Sequence, residues 1–312
     1  MHIIIYIIRK QMESKAKILI PENVIGIKSD KKEIIFTEKD TILYSLGIGI
    51  SEDPYNESDL DFTYEFSENF KIFPTQFACV PLFDAVKLMI DNPNIPDYNH
   101  MSLLHGEINL VIHKQAIHNE KYYYQLVLID YEDKGFGTIF LFECNITNNK
   151  DHKFYTIYSS IIIRDFKGNK HKSIGPLLKL TIPKIPDIIP DFTTKYKTTK
   201  NQALLYRLGG LDPNPLHADI KMAKMGGFDK PILHGMCFYG IACRAIYDLI
   251  CARDVNNIIN LNARFTNHVY PGETLEVSIW KQKGNKLIIS LATSERKKQV
   301  LIGEAELRNP KF

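Results

Sequence analysis

The sequence lacks an apolar run long enough to cross a membrane. The run at its N-terminus, residues 3–8, is far shorter than the roughly 20 residues that a spanning helix needs. It also lacks the basic region and the cleavage site that mark a secretory signal. We expect this run to be a strand or a disordered leader, and we expect no membrane partner.

An excess of charge of one sign is also missing. The 312 residues carry 39 Lys and Arg against 36 Asp and Glu, a formal net charge of +3, without a long basic stretch. Because nucleic-acid binders neutralise phosphates with clustered basic side chains, this balance disfavours a nucleic-acid partner. An anionic ligand would have to be bound by local groups.

The sequence also lacks closely spaced pairs of cysteines. None of the cysteines forms a CxxC pair, and their number is odd, which favours a reducing compartment without structural disulfides. Three of them lie in or beside one apolar segment, where a thiol packs as a small hydrophobic group. The five are Cys79, Cys144, Cys237, Cys243 and Cys251.

The sequence contains enough hydrophobic residues for a large core, and its two halves resemble each other. Hydrophobic residues make up 45% of the chain, which excludes extended disorder, and 312 residues suit two domains. Residues 38–47 and 200–209 each read as a short helix that closes on Leu-Tyr-x-Leu-Gly. In each half an irregular stretch, an apolar helix and a series of strands follow. This self-similarity indicates a duplicated domain.

The second half predicts one buried helix wrapped by an antiparallel sheet. Residues 234–251 are apolar on nearly every side, as in a buried helix, and alternating strands follow near 275–279, 287–291 and 300–305. In the first half, residues 75–91 predict a helix that Pro81 should bend or delay. Strands follow it near 106–114, 122–130, 138–146 and 154–164. The prediction is an α+β double hotdog.

A proline-rich segment separates the halves. Residues 181–200 contain Pro183, Pro186 and Pro190, a density that predicts a stiff, extended linker and not a core element. We place the boundary near residue 190. The N-terminal hotdog would span 1–190 and the C-terminal hotdog 191–312.

The densest polar group in the sequence lies between Asp212 and Asp219. Pro213 and Pro215 keep this stretch out of a helix, so that it presents Asp212, Asn214 and His217 from a rigid loop. A carboxylate and an imidazole held together suit acid–base chemistry on a water-sized reactant. An ordinary turn, for which Asp, Pro and Asn are the commonest residues, is the alternative.

A second motif, Pro231-Ile-Leu-His-Gly235, leads into the buried helix of the second half. At a helix start, free backbone N–H groups meet the positive end of the helix dipole, and glycine lets a ligand oxygen approach. This suits an oxyanion hole. A plain helix start with a satisfied histidine is the alternative. A metal site from His217, Asp219 and His234 fits no standard spacing.

These motifs resemble those of a known family. Residues 206–217 and 227–237 closely resemble the hydratase 2 family, the MaoC-like hydratases found alone or inside peroxisomal multifunctional enzyme type two. The resemblance covers roughly residues 38–308. It includes Val-Tyr-Pro-Gly-Glu-Thr-Leu at 269–275, Leu-His-Gly-Glu at 104–107 and Asp-Lys-Gly-Phe-Gly at 133–137.

The resemblance implies reversible, (R)-specific hydration of trans-2-enoyl-CoA to (3R)-3-hydroxyacyl-CoA in fatty acid metabolism. CoA would be part of the substrate, with no separate cofactor and no metal. Asp212 and His217 would hold the attacking water, which Asn214 would help to place, and the Gly235 amide would receive the thioester oxygen. The positions that match the lining of the acyl-CoA site are His105, Gly106, Lys134 and Phe265, and Glu65 matches a supporting glutamate.

The resemblance also has limits. The first half lacks its own Asp-x-Asn-Pro-x-His, so we expect it to supply a binding tunnel. Family members run Tyr-Arg-Leu-Ser-Gly directly into the aspartate, whereas Leu211 is inserted here, and displacing Asp212 by an ångström would cost about a hundredfold in rate. We expect the loop to absorb this residue upstream.

Several alternatives stay open at this point. They are a hotdog thioesterase, a dehydratase that acts on a carrier-protein substrate, and an acyl-CoA-binding protein that has lost catalysis. We expect a homodimer. The compartment is open, because the C-terminal residues 309–312 are not the usual peroxisomal tripeptide.

Overall fold

The structure, a computed structural model, describes residues 15–53, 55–173 and 183–309. Within them, ten strands form one continuous sheet in the order β1-β3-β4-β5-β2-β7-β10-β9-β8-β6, and each neighbouring pair is antiparallel. The strands are β1 (Lys32–Ile34), β2 (Leu103–Ile112), β3 (Tyr122–Asp133), β4 (Gly137–Thr147), β5 (Lys153–Arg164), β6 (Phe192–Lys197), β7 (Ile258–Phe265), β8 (Thr274–Gln282), β9 (Lys286–Thr293) and β10 (Gln299–Leu307).

The strand order contains two copies of one five-stranded unit. From the joint outwards, the first unit runs β2-β5-β4-β3-β1 and the second runs β7-β10-β9-β8-β6. Each strand of the second unit thus takes the place of the strand five positions earlier in the chain. This order is what the duplication inferred from the Leu-Tyr-x-Leu-Gly repeat requires.

One long helix packs into the core of each unit. The helices are α1 (Pro21–Val24), α2 (Glu38–Gly47), α3 (Leu60–Thr63), α4 (Val80–Asp91), α5 (Gln202–Gly209), α6 (Ile220–Met225) and α7 (Gly235–Leu249). The central helices are α4 and α7, and α7 is buried along most of its length. Pro81 delays α4 as predicted: a 3-10 helix over Pro74–Cys79 comes first, and Pro81 then lies in the first turn, where proline is tolerated.

The repeated helices α2 and α5 cross each other at their glycine ends. A Cβ on Gly47 would lie 3.0 Å from the Cα of Tyr206, and a Cβ on Gly209 would lie 2.2 Å from the backbone nitrogen of Tyr44. The two tyrosine rings are buried and their centroids are 5.9 Å apart. The repeated motif is therefore a contact between the two units, in which each glycine receives the tyrosine of the other helix.

The prediction of a linker over residues 181–200 is wrong in its last part. Phe192–Lys197 forms β6, which pairs with β8 at the edge of the sheet and is the counterpart of β1. The three prolines precede this strand, where they cost no ladder hydrogen bond. The strands β1 and β7 were not predicted either. The boundary near residue 190 remains a prediction.

Two stretches named above lie outside the described residues, the apolar run at 3–8 and the last residues of the chain, 310–312. Among the described helices, none has the length and apolar character that a membrane crossing requires.

Candidate active site

The loop after α5 carries the inserted Leu211. The helix ends at Gly209, Gly210 caps it, and Leu211 then adopts a left-handed conformation with φ of 55°. This conformation turns the chain within one residue. Asp212 still faces His217, with 3.9 Å between the carboxylate Oδ2 and the imidazole Nε2. The extra residue is therefore absorbed directly upstream of the aspartate.

His217 is held in one orientation by the backbone. Its ring is buried, and its Nδ1–H donates a hydrogen bond of 2.9 Å to the carbonyl oxygen of Ile232. A carbonyl can only accept, so Nδ1 carries the proton and Nε2 faces Asp212. Burial lowers the pKa of His217, and the Asp212 charge and the Ile232 carbonyl oppose this shift only in part. The imidazole is therefore neutral at pH 7, and Nε2 is an acceptor.

Asp212 Oδ2 and His217 Nε2 are spaced so that one water molecule beside them can bridge both atoms. A separation of 3.9 Å is too long for a direct hydrogen bond, and both facing atoms are acceptors. A water beside them can donate one hydrogen to the carboxylate and the other to the imidazole. Its oxygen lone pairs then remain available for attack.

Asn214 makes two hydrogen bonds within the loop, and its role in placing the water stays a prediction. Its side-chain oxygen accepts the N–H of Leu216 at 3.0 Å, which caps the 3-10 turn Pro215–His217. Its backbone N–H donates to Oδ1 of Asp212, also at 3.0 Å. Asn214 thus orients the aspartate through its backbone, and only its side-chain nitrogen could contact the water.

His234 was not among the predicted catalytic residues, although it belongs to the Pro-Ile-Leu-His-Gly motif. Its ring is buried and stacks on His217, with 3.8 Å between centroids and 28° between planes. Within the described residues, neither ring nitrogen has a hydrogen-bond partner of good geometry, and the backbone of Asp212 lies near enough only to oppose in part the lowering of the His234 pKa. Burial, and then the neighbouring His217, lower the pKa of His234 well below its ordinary range. It provides a neutral surface against which His217 rests.

The three residues considered for a metal site, His217, Asp219 and His234, are not the set that the fold brings together. Asp219 accepts the backbone N–H groups of Lys221 and Met222 as the N-cap of α6. Asp212 takes its place: Asp212, His217 and His234 each offer a ligand atom, and these atoms lie within 4.8 Å of one another. Nδ1 of His217 already donates to the Ile232 carbonyl, so His217 could bind an ion only through Nε2, the atom that faces Asp212.

Gly235 begins α7 beside two of the predicted substrate-binding residues. Its N–H lies in the first turn, where backbone donors have no intrahelical acceptor. A Cβ on Gly235 would lie 3.3 Å from the ring of Phe265, and the rings of Phe265 and His105 are 5.0 Å apart. Burial lowers the pKa of His105 to about 4, so it is also neutral. Glycine therefore leaves room for an oxygen atom between the helix and Phe265.

Gly106 follows His105 at a bulge between β2 and β5. A Cβ there would lie 2.8 Å from Oγ of Ser160, the hydroxyl that accepts the N–H of Glu107. The bulge thus needs glycine. Lys134 is exposed on the hairpin between β3 and β4 and forms an ion pair of 2.8 Å with Glu132.

The structure does not bring Glu65 to the site. It is exposed on the turn after α3. Phe62 of α3 packs against Tyr247, whose ring lies 5.4 Å away near the far end of α7. Tyr247 is twelve residues from Gly235, about 18 Å along a helix. Within the described residues Glu65 has no hydrogen bond or ion pair with Asp212 or His217, and its supporting role stays a prediction.

Comparisons with known proteins cover nearly the whole described chain. Residues 35–165 match the family described as MFE-2 hydratase 2 N-terminal domain, and residues 183–301 match the MaoC like domain. The chain is 33% identical to a probable enoyl-CoA hydratase 2 of Dictyostelium discoideum, over 93% of this chain and 96% of that protein. It is also 33% identical to peroxisomal multifunctional enzyme type 2 of Mus musculus, over 84% of this chain but 35% of that longer protein.

Comparison with solved structures gives the same fold. A MaoC-like dehydratase from Phytophthora capsici superposes with a TM-score of 0.83 at 28% identity, over 93% of this chain and 98% of that one. A Mycobacterium tuberculosis protein described as a double hotdog superposes with a TM-score of 0.58 at 13% identity, over 92% of this chain and 97% of that one, and shows the fold alone. The predicted double hotdog is confirmed.

Proposed function

The chain belongs to the MaoC-like hydratase 2 family, and from this premise we propose that it hydrates trans-2-enoyl-CoA to (3R)-3-hydroxyacyl-CoA. The observation that supports this most is the separation of 3.9 Å between Asp212 Oδ2 and Nε2 of a neutral His217, which one water molecule can bridge. Relatives named enoyl-CoA hydratase 2 occur in Dictyostelium discoideum and Arabidopsis thaliana. The reaction serves fatty acid metabolism and is reversible.

The proposed reaction adds the elements of water across one double bond. The water oxygen bonds to C3 while one of its protons passes to the pair formed by Asp212 and His217. The pair then passes this proton to C2 on the same face, so that the enzyme ends in its initial protonation state. General acid–base groups held in this way contribute about 10²–10⁴-fold to a rate.

Gly235 stabilises the charge that develops as water adds. Electron density moves from the double bond onto the thioester oxygen, and the N–H groups at the start of α7 can donate to it. The helix dipole acts in the same direction. No metal or separate cofactor is needed for this step, since the carboxylate and imidazole activate the water and the helix start binds the oxyanion.

A direct assay tests the proposal. Incubation with crotonyl-CoA and decenoyl-CoA should lower the enoyl absorbance to an equilibrium value and yield the (3R) alcohol on chiral analysis. Asp212→Asn and His217→Gln should lower kcat by orders of magnitude with little change in KM, because their contacts act in the transition state. Asp219→Asn is the matched control, since Asp219 caps α6 and is not part of the pair.

The same assay separates the alternatives. Release of free CoA would identify a thioesterase, and tight acyl-CoA binding without turnover, insensitive to Asp212→Asn, would identify an inactive binding protein. Dehydration is the reverse of the proposed reaction, so activity on a carrier-protein thioester but not on CoA would change only the substrate. A homodimer of this chain is proposed as well, and light scattering on the purified protein tests it.

A further inference from the structure

We infer that Glu273 and Arg296 are positioning residues for the hydration reaction. They hold the loop 268–270, and the Val269 carbonyl of this loop fixes the chain that leads into α7. The inference rests on the proposed function. Glu273 closes the Val-Tyr-Pro-Gly-Glu motif before β8, and Arg296 lies in the turn between β9 and β10.

One backbone hydrogen bond connects the loop to the site. The N–H of Leu233 donates to the carbonyl oxygen of Val269 at 2.7 Å, and both residues are buried. Leu233 directly follows Ile232, whose carbonyl accepts the Nδ1–H of His217, and lies two residues before Gly235. A shift of Val269 would therefore disturb the orientation of the imidazole and the oxyanion donor together.

Arg296 contacts the loop on both sides of Val269. Its guanidinium donates to the carbonyl oxygen of His268 at 2.5 Å and to Nε2 of the same residue at 3.2 Å. Burial, and then the charge of Arg296, lower the pKa of His268, which keeps the ring neutral and Nε2 an acceptor. The guanidinium also lies 5.1 Å from the centroid of the Tyr270 ring. These contacts keep the Val269 carbonyl from turning away from Leu233.

Glu273 provides the anion that fixes this guanidinium. The carboxylate is buried, and its two oxygens accept hydrogen bonds of 2.5 Å and 2.9 Å from Nε and Nη2 of Arg296. The second oxygen also accepts the backbone N–H of Tyr270 at 2.7 Å. Two parallel charged hydrogen bonds fix the direction of a guanidinium as well as its position, which a single ammonium contact does not. Glu273 thus holds Arg296 and the loop backbone in one arrangement.

The turn that carries Glu273 is itself attached to the second unit. The N–H of Glu273 donates to the carbonyl of Tyr270 at 3.0 Å, and Pro271 and Gly272, the latter with a φ of 93°, occupy the positions typical of a type II turn. The Glu273 carbonyl accepts the backbone N–H of Thr198 at 3.0 Å and its hydroxyl at 2.7 Å. The segment between β6 and α5 is therefore a fixed base for the loop.

Removal of the guanidinium tests the inference by kinetics. Arg296→Met should lower kcat for crotonyl-CoA by about tenfold to a hundredfold with little change in KM, because misplacing catalytic groups by an ångström can cost about a hundredfold. Lys297→Met is the matched control, since it removes the neighbouring exposed cation of the same turn. Asp248→Asn breaks ion pairs near the far end of α7 and controls for lost stability. An equal loss of kcat in either control would overturn the inference.

Arg296→Lys separates geometry from charge. A lysine keeps the positive charge beside Glu273 but lacks the planar fork that reaches both the carboxylate and the His268 carbonyl. Its kcat should therefore stay close to that of Arg296→Met. Recovery of the wild-type kcat in Arg296→Lys would show that a charge alone suffices, and would overturn the positioning role.

Amide hydrogen exchange separates this inference from the proposed function, because it needs no substrate. The Leu233 amide should exchange at least about tenfold faster in Arg296→Met than in the wild-type protein or in Lys297→Met. Unchanged exchange at Leu233 overturns the inference, even if hydration is found. Faster exchange in a protein that hydrates neither crotonyl-CoA nor decenoyl-CoA supports the connection from Arg296 to Leu233 and contradicts the proposed function alone.

Discussion

The backbone of Tyr44 and the Cα of Gly209 are in direct contact where α2 and α5 cross. A Cβ on Gly209 would lie 2.2 Å from the Tyr44 nitrogen, whereas a Cβ on Gly47 would lie 3.0 Å from the Cα of Tyr206. The contact joins the two units immediately before the loop that carries Asp212. It also explains why the two helices end on the same five-residue pattern.

Gly209→Ala is expected to lower the free energy of unfolding by about 1–3 kcal/mol, because backbone atoms cannot move aside as a flexible side chain can. Gly47→Ala serves as a graded comparison with a smaller expected loss. Urea denaturation measures both. Equal stability of Gly209→Ala and the wild-type protein would contradict this, because it would show that α2 and α5 can move apart without loss of unfolding free energy.

The pH dependence of hydration should follow from the buried His217. Its lowered pKa keeps the imidazole neutral, so kcat should stay level as pH falls from 7 past 6.5 and decline only in more acid solution. In Asp212→Asn the carboxylate charge that raises this pKa is absent, so the residual activity should decline at a still lower pH. A rate profile that declines at 6.5 or above would contradict the neutral imidazole.

The fold could be predicted from the sequence where one pattern dominated. The apolar residues of α7 surround it on nearly every side, and the alternation in β8 and β9 is regular, so burial alone determines these elements. By contrast, β7 carries Asn260 and Asn262, and Asn260 bonds to Asn109 across the joint with β2. Two asparagines in a mostly apolar strand, one of them bonded to a distant strand, hide the strand pattern.

The candidate site, too, could be predicted from the sequence only in part. The loop from Asp212 to His217 is local, so its spacing could be interpreted from the sequence. The stacking of His234 on His217 brings together residues seventeen positions apart, and only the packing of α7 against the loop produces it. The position of Glu65 likewise depends on α3 packing against Tyr247, which no local motif shows.

Leu211→Gly should raise the free energy of unfolding by about 1 kcal/mol, since Leu211 adopts a left-handed φ of 55° that glycine tolerates without strain. Leu204→Gly is the opposite control, because Leu204 is exposed within α5, where glycine should cost about 1 kcal/mol. Thermal denaturation of both variants shows whether each substitution raises or lowers the stability of the protein. A destabilised Leu211→Gly would mean that the leucine side chain stabilises the loop by packing.

Acid should destabilise the protein through His105. In the unfolded chain the imidazole binds a proton near its ordinary pKa of 6.5, whereas burial in the folded state lowers the pKa to about 4. The stability that the neutral His105 ring contributes to the folded state is therefore fully present above pH 6.5 and is lost as the pH falls to about 4. It amounts to roughly 3 kcal/mol at most. His105→Gln should flatten the fall in unfolding free energy across this window, and the exposed His152→Gln should leave it as it is.

Removal of metal ions should not affect hydration. The proposed reaction uses a carboxylate, an imidazole and a helix start, and none of its steps involves a metal ion. Dialysis against EDTA should leave kcat unchanged, with metal content followed by atomic emission. A loss of activity that zinc restores would assign the cluster of Asp212, His217 and His234 to a metal.

The pairing of β2 with β7 joins the two units in one chain, and this affects how the protein can evolve. If two identical single hotdogs associated, every substitution would occur twice, once in each copy. Here the copies share one polypeptide, so a residue can be replaced on one side of the joint alone. One copy is thereby free to adapt to a longer or differently shaped acyl chain while the other preserves its acid–base loop.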